Sequence, residues 1–185
     1  DARTIRVLLM DTGFKNLFHK KAELELNCDA RLVCKNDDGD SKESTLKKGE
    51  VLTLTAEDER LKHGRMTIIP EKEEGITICS LERAQGQPVY SGSLEIKKEE
   101  EGLVLINELY LEDYLKKVVP SEMPASYEKE ALKTQAVCAR TYAYRQIQGN
   151  TYGAYGAHVD DSTSFQVYNN TQTNERTDQA VDETY

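Results

Sequence analysis

The sequence has no tryptophan, only three phenylalanines, four cysteines and four prolines, and no long apolar run. Each scarcity excludes something. No stretch reaches the roughly 18 apolar residues that cross a bilayer, so no membrane-spanning helix is predicted. The four cysteines (Cys28, Cys34, Cys79 and Cys138) lack the paired spacing of a zinc site. Cys28 and Cys34 flank a candidate strand pair that a disulfide could bridge. A chain long enough to build its own core is expected instead to keep its cysteines as buried free thiols. Basic residues are outnumbered, and the net charge of −9 argues against a nucleic-acid partner, because phosphate binding needs a basic footprint. It leaves an uncharged or weakly charged polysaccharide open. The pairs Lys20-Lys21 and Lys116-Lys117 are too short for tails and read as solvated faces. No internal repeat is present. No leader opens the chain, and both ends, Asp1-Ala2-Arg3 and Glu183-Thr184-Tyr185, read as cuts within a longer protein.

What is there fits a globular α+β protein: a strand-rich N-terminal part, then a mixed α/β core with one long amphipathic helix. A division is placed between a β-rich region, residues 1–88, and a core, residues 89–185. Ten tyrosines suit either half-buried positions or surfaces that meet sugars. Candidate strands are Ile5–Met10, Ala22–Cys28 with its period of two, Arg31–Cys34, Val51–Thr55, Met66–Ile69 and Ile76–Cys79. Val89-Tyr90, Ser93–Ile96 and Leu103–Ile106 continue the series. The charged stretches 41–50 and 97–101 read as exposed connections. Asn36–Asp40 resembles a calcium loop only superficially. With Gly39 at the sixth position, Cys34 and Thr45 fall where carboxylates belong, so a turn on Asp38-Gly39 is expected.

Helical spacing begins at Leu109 and is expected to stop at Pro120. A second helix is predicted from an N-cap at Ser126, with Glu128 and Glu130 in its first turn. Leu132, Ala136, Ala139, Ala143 and Ile147 form its apolar stripe, and Gly149-Asn150 ends it. Lys133 and Arg140 share one flank of that stripe; Gln135 and Tyr142 share the other. Tyr152–Gly156 carries too many glycines for a stable helix. Phe165–Tyr168 reads as a short strand, and Asp178–Tyr185 as the start of a helix.

Glu122 is the residue that stands out for chemistry. It lies between Pro120 and Pro124, whose restricted backbones fix its direction. Met123 beside it would shield it from water, as suits a general acid. From the residues alone, an ordinary loop glutamate at a helix N-terminus fits as well. A serine-nucleophile reading of Ser162 or Ser164 fails, because no nucleophile elbow is present and His158 has no evident role as a base.

Three blocks change the balance. They are Asn107-Glu108-Leu109-Tyr110-Leu111-Glu112-Asp113-Tyr114-Leu115 with Val118-Val119-Pro120-Ser121-Glu122-Met123-Pro124, then Glu130 to Ala143, then Asp161-Ser162-Thr163-Ser164-Phe165-Gln166-Val167-Tyr168. Together they resemble the signature of the stage II sporulation protein D and amidase enhancer family, over roughly residues 89–170. The resemblance implies a peptidoglycan lytic transglycosylase acting on peptide-free glycan strands, with Glu122 catalytic and no cofactor. It cuts between N-acetylmuramic acid and N-acetylglucosamine, leaving a 1,6-anhydro end. One carboxyl can serve as acid and then base, with Asp160 and Asp161 in support. Arg140, Lys133 and Gln135 are expected to line the cleft or tie the helix to the catalytic loop. Ser162, Gln166 and Tyr168 are expected to meet sugar hydroxyls or acetamido groups. Some members bind zinc near the third block through a histidine and cysteines. Here Phe165 stands where one such cysteine would be, so no metal is expected. The implied partners are glycan strands and a cell-wall amidase, and an exposed edge could pair two copies as a homodimer. The alternative is a glycan-binding amidase activator that does not cut. Either reading places the natural protein outside the cytoplasmic membrane, tethered by an N-terminal segment that precedes this chain.

Overall fold

The computed structural model describes residues 3–185. Eleven strands and three helices are resolved among them. The strands are β1 (Thr4–Leu8), β2 (Lys21–Leu26), β3 (Ala30–Asn36), β4 (Ser41–Leu46), β5 (Val51–Thr55), β6 (Gly64–Pro70), β7 (Ile76–Ile78), β8 (Val89–Tyr90), β9 (Ser93–Glu99), β10 (Gly102–Tyr110) and β11 (Val159–Asp160). The helices are α1 (Leu111–Glu122), α2 (Lys129–Gln148) and α3 (Glu175–Asp182). The fold is α+β, as the sequence reading expects.

A seven-stranded sheet runs in the order β11-β1-β10-β9-β6-β3-β4, and a four-stranded sheet in the order β5-β2-β7-β8. β1 pairs parallel with β11, which carries Asp160 into the sheet. Strands from both sides of residue 88 share the larger sheet: β1 pairs with β10, and β6 with β9. One apolar core likewise takes Leu24, Ile68 and Ile78 from the first half and Leu115, Val118 and Ala136 from the second.

Alternation explains most of this. In β2, Ala22, Leu24 and Leu26 are buried while Lys21 and Glu25 face solvent. Strand β10 is apolar on both faces because both are covered. Leu103 and Leu105 join the main core, whereas Val104 and Ile106 meet Leu8 and Ala157 on the other side. On α2, Leu132, Ala136, Ala139 and Ala143 are buried, and Ile147 packs against the core from a half-buried position. The chain crosses from one sheet to the other at Gly92. Its φ is +80°, and a Cβ there would lie 2.1 Å from the Glu108 carbonyl oxygen, so only glycine fits.

Several expectations need correction. Pro120 does not end α1; it is buried inside the last turn, which closes with the Met123 N–H on the Val119 carbonyl at 2.9 Å. Proline removes one donor there, but the helix has only two residues left to run. Leu109 belongs to β10, and α1 starts at Leu111. Ser126 is not the N-cap of α2. Glu128 holds that position without a side-chain cap, because the turn closed by Tyr127 N–H on Pro124 O carries Ser126 outward. Ser41–Leu46 is a strand rather than a connection, and only Leu46 in it is buried. As an edge strand it carries Lys42 and Glu43 outward, which discourages edge-to-edge pairing. The cysteines are free, but only Cys28 is buried, and Cys138 is exposed on α2. The Asp38-Gly39 turn joins β3 to β4 with Gly39 at φ +94°.

Candidate active site

Glu122 is delivered by α1. Leu115, Val118, Val119 and Pro120 anchor that helix in the core, and Glu122 is its last residue, exposed to solvent. The shielding expected of Met123 is therefore absent. A carboxylate at a helix C-terminus meets the negative end of the helix dipole and needs a donor. The backbone N–H of Val167 supplies one, donating to Glu122 Oε1 at 2.7 Å. Its other oxygen, Oε2, makes no hydrogen bond to another described residue.

That donor belongs to an irregular loop, and here the short strand expected at Phe165–Tyr168 gives way. The loop's N–H groups go to the end of α1 instead of a sheet partner. Asn169 N–H reaches the Lys117 carbonyl at 3.0 Å. Ser121 Oγ accepts from Asn170 N–H at 3.1 Å and from Thr171 N–H at 3.2 Å, and donates to the Lys117 carbonyl at 2.9 Å. A hydroxyl has one donor and two acceptor positions, so Ser121 is fully used. Asn169 adopts a left-handed conformation, φ +57°, which asparagine tolerates better than most residues.

The loop is held from below. The Tyr168 hydroxyl donates to Asn107 Oδ1 at 2.7 Å, and its ring lies 5.0 Å from that of Tyr114. The Tyr114 hydroxyl donates to Gln166 Oε1 at 3.3 Å, and Gln166 Nε2 donates to the Ala139 carbonyl at 3.2 Å. Burial pushes both phenols above their ordinary range, so they remain proton donors. Ser162 donates from Oγ (2.6 Å) and from its backbone (2.8 Å) to Asp160 Oδ1. The Tyr152 hydroxyl takes Asp160 Oδ2 at 2.7 Å. Ser162, Gln166 and Tyr168 are all buried. They build the support of the loop, in place of the sugar-facing surface expected for them.

Asp161 goes deeper. Its carboxylate meets Arg83 Nη2 at 2.7 Å with both side chains wholly buried, and it accepts the Met10 N–H at 2.9 Å. Burial raises the Asp161 carboxyl to about 6, against the pull of Arg83 and of the Met10 N–H. Arg83 also donates to the Met10 and Asp11 carbonyls and lies over the Phe14 ring at 4.2 Å. Neither Asp160 nor Asp161 is placed as a second, open carboxylate.

Arg140, Lys133 and Gln135 form a separate group on α2. Arg140 grips Glu112 of α1 through Nη2 at 2.6 Å and Nε at 3.0 Å, and donates to the Val181 and Thr184 carbonyls. It thereby clamps three helices. Glu112 and Glu122 lie at opposite ends of α1, roughly 15 Å apart along its axis. Lys133 reaches Glu183 at 3.4 Å, and Gln135 is half-buried. Among the described residues no group of three His, Cys, Asp or Glu side chains could hold a metal. His158 is engaged otherwise, its Nδ1 accepting the Arg6 N–H at 3.0 Å, with burial lowering its basicity. The residues present do not fit the zinc of some family members.

Beside the loop lies a cleft of about 410 Å³ whose lining includes Glu74, Gln85, Gln87, Lys117, Asn169 and Gln172. Sequence reasoning missed it, together with Ser121, Val167 and Arg83. Only Ser121, a hydroxyl adjoining Glu122, offered a local signal.

Residues 99–185 match the Stage II sporulation protein family. An uncharacterized protein of Brachyspira hyodysenteriae (strain ATCC 49526 / WA1) is 40% identical over 118 residues, 63% of this chain and 30% of the relative. The amidase enhancer of Bacillus subtilis (strain 168) is 46% identical over 70 residues, 38% of this chain and 9% of the relative. Stage II sporulation protein D of the same organism is 45% identical over 65 residues, 34% of this chain and 19% of the relative. The chain spans less than a third of the length of each. No solved structure matches. Residues 99–185, which hold α1, α2, Glu122 and the loop that binds it, are thus similar to the stage II sporulation protein family.

Proposed function

We propose that this chain is the glycan-cleaving part of a peptidoglycan lytic transglycosylase, with Glu122 as its acid and base. One observation carries the reading: Glu122 is exposed at the end of a rigid helix, with Oε1 fixed by Val167 N–H and Oε2 open to a ligand. A carboxyl held at one oxygen can exchange a proton at the other. Glu122 protonates the oxygen linking N-acetylmuramic acid to N-acetylglucosamine, and the C1–O bond breaks. The C6 hydroxyl of the muramic acid attacks C1, and its proton passes to the Glu122 carboxylate. Glu122 ends protonated as it began, no water is consumed, and a 1,6-anhydro ring is left. The engagement of Asp160 and Asp161 supports this route, because a water-using glycosidase needs a second free carboxylate about 5–9.5 Å away. The substrate places the protein outside the cytoplasmic membrane.

The likeness to a relative named amidase enhancer favours a second reading, a module that binds glycan and activates a separate cell-wall amidase. One experiment separates the two. Peptide-free glycan strands are incubated with the protein and with its Glu122→Gln variant, and the products are weighed by mass spectrometry. Anhydro ends made by the parent alone establish the transglycosylase. Reducing ends mean a hydrolase. No products from folded protein, with an added amidase stimulated, favour the activator.

A further inference from the structure

A groove of about 400 Å³ opens at Gly92, where the chain crosses between the sheets. It continues into a narrower cleft of about 210 Å³, with which it shares Glu73, Ser91, Leu109 and Asp113. This is the size of sites that hold ligands of several functional groups, more than a small ion fills. The groove is separate from the candidate active site. Asp113 and Glu122 stand at opposite ends of α1, roughly 14 Å apart along its axis. One half of the groove is apolar. Ile69, Pro70 and Leu109 line it, and the Tyr110 ring, 56% exposed, stands with them. Such a surface takes a methylene chain along its length and a cation over the ring face.

The other half is acidic. Glu73 and Asp113 line both parts, and Asp178 lines the narrow one. Among the described residues none of these three carboxylates has an ion-pair partner. The lysines of the narrow part are taken elsewhere, Lys116 by Asp182 at 2.8 Å and Lys117 by Glu74 at 3.1 Å. Lys72, at the rim, is exposed, and its charge is screened by solvent. Glu108 is spent on Arg6 at 2.6 Å. Asp178 Oδ1 is buried with no hydrogen-bond partner. Burial, and then the charge of Glu73, raises the Asp113 carboxyl above its ordinary value; burial raises Asp178 as well. Both aspartates lie in first turns of helices, where the dipole favours negative charge. The dipole does not supply the donor that Asp178 lacks. An ionised carboxylate only accepts, so the complementary group is a donor of positive charge. Among the described residues no three His, Cys, Asp or Glu side chains could hold a metal ion. An organic cation on an apolar stem matches both halves of the groove.

We propose that this groove docks a basic peptide segment of a partner protein through a lysine side chain. The methylene stem lies along Pro70, Leu109 and the Tyr110 ring, and the ammonium meets Asp113 and Glu73. The narrow part, with Asp178, takes a second donor of the same segment. This interaction is independent of glycan cleavage, and it stands or falls apart from the role of Glu122.

The test titrates nitrogen-15-labelled protein and follows the backbone amide signals of Gly92 and Tyr110 by NMR. Three probes are compared: the capped tripeptide acetyl-Gly-Lys-Gly-amide, the same peptide with norleucine for lysine, and 1,5-diaminopentane. The lysine peptide is expected to bind about tenfold tighter than the norleucine peptide, the range of one charge-assisted hydrogen bond. Glu73→Gln/Asp113→Asn should erase that difference. Tyr110→Ala should weaken both peptides severalfold, because the stem loses its platform. An unchanged melting temperature in each variant shows that the fold is intact. Equal binding of the two peptides by the parent would overturn the proposal. So would discrimination that survives Glu73→Gln/Asp113→Asn, or shifts that spare Gly92 and Tyr110. Diaminopentane is expected to bind more weakly than the lysine peptide. Binding at least as tight would assign the groove to a free polyamine and overturn the peptide reading. Glycan products are measured alongside, and their presence or absence bears on Glu122 alone.

Discussion

Removing the Asp161 carboxylate should unsettle the fold more than any exposed substitution. The Arg83–Asp161 pair is wholly buried at 2.7 Å and ties the β7–β8 segment to the loop that supports Glu122. Asp161→Ala strands the Arg83 guanidinium in the interior, leaving it only carbonyl acceptors and the Phe14 ring. Breaking a buried pair from one side costs about 3–5 kcal/mol. In a domain of this size each kcal/mol lowers the melting temperature by about 2–4 °C, so a fall of roughly 6–20 °C is expected. Arg83→Met/Asp161→Ala should melt higher than Asp161→Ala alone, because no uncompensated charge remains. The pH dependence has a definite sign. The folded carboxyl titrates near 6, above its ordinary 3.8, so between those values the native state binds more protons than the unfolded chain. Stability from this group is therefore full below about pH 4 and falls as pH rises through 6. Thermal melts from pH 4 to 7.5 would show that slope in the parent and its loss in Asp161→Asn. An Asp161→Ala cost under about 1 kcal/mol, or strictly additive effects of the two substitutions, would refute the reasoning.

Three further outcomes are expected. Ser121→Ala removes the acceptor of two loop N–H groups and the donor to Lys117 O, at about 1–3 kcal/mol. The kcat of the proposed glycan cleavage should fall with KM nearly kept, whereas an unchanged kcat would show that the loop needs no such pin. Gly92→Ala, at φ +80° and with an added Cβ that would meet the Glu108 carbonyl oxygen, should cost about 1–3 kcal/mol in urea melts, and a neutral effect would contradict the close approach. Arg140→Lys keeps the charge but loses the fork on Glu112, so about 1.5–3 kcal/mol of stability should go while folded protein keeps the proposed glycan cleavage. Lost cleavage at an unchanged melting temperature would make Arg140 a substrate contact instead.

What could be read from the sequence was what local pattern encodes. The period of two in β2 and the alanine stripe of α2 both stated which face is buried, because burial follows side-chain spacing. β4 escaped because an edge strand with one buried residue has no such pattern. Pro120 misled because a proline near a helix end forfeits one bond, and the buried packing of Val118, Val119 and Pro120 outweighs it. The candidate site was legible as a motif and illegible as geometry. Glu122 and its neighbours stood out as a motif, yet the group that fixes its carboxylate is a main-chain N–H 45 residues away. Every residue but proline carries that donor, so no side-chain pattern can announce it. Ser162, Gln166 and Tyr168 were noticed for the same motif and proved to be what holds that N–H in position. A family signature can thus mark both the carboxyl proposed to react and the buried scaffold beneath it. Sequence cannot say which residue is which; burial separates them, with Glu122 exposed and the other three buried.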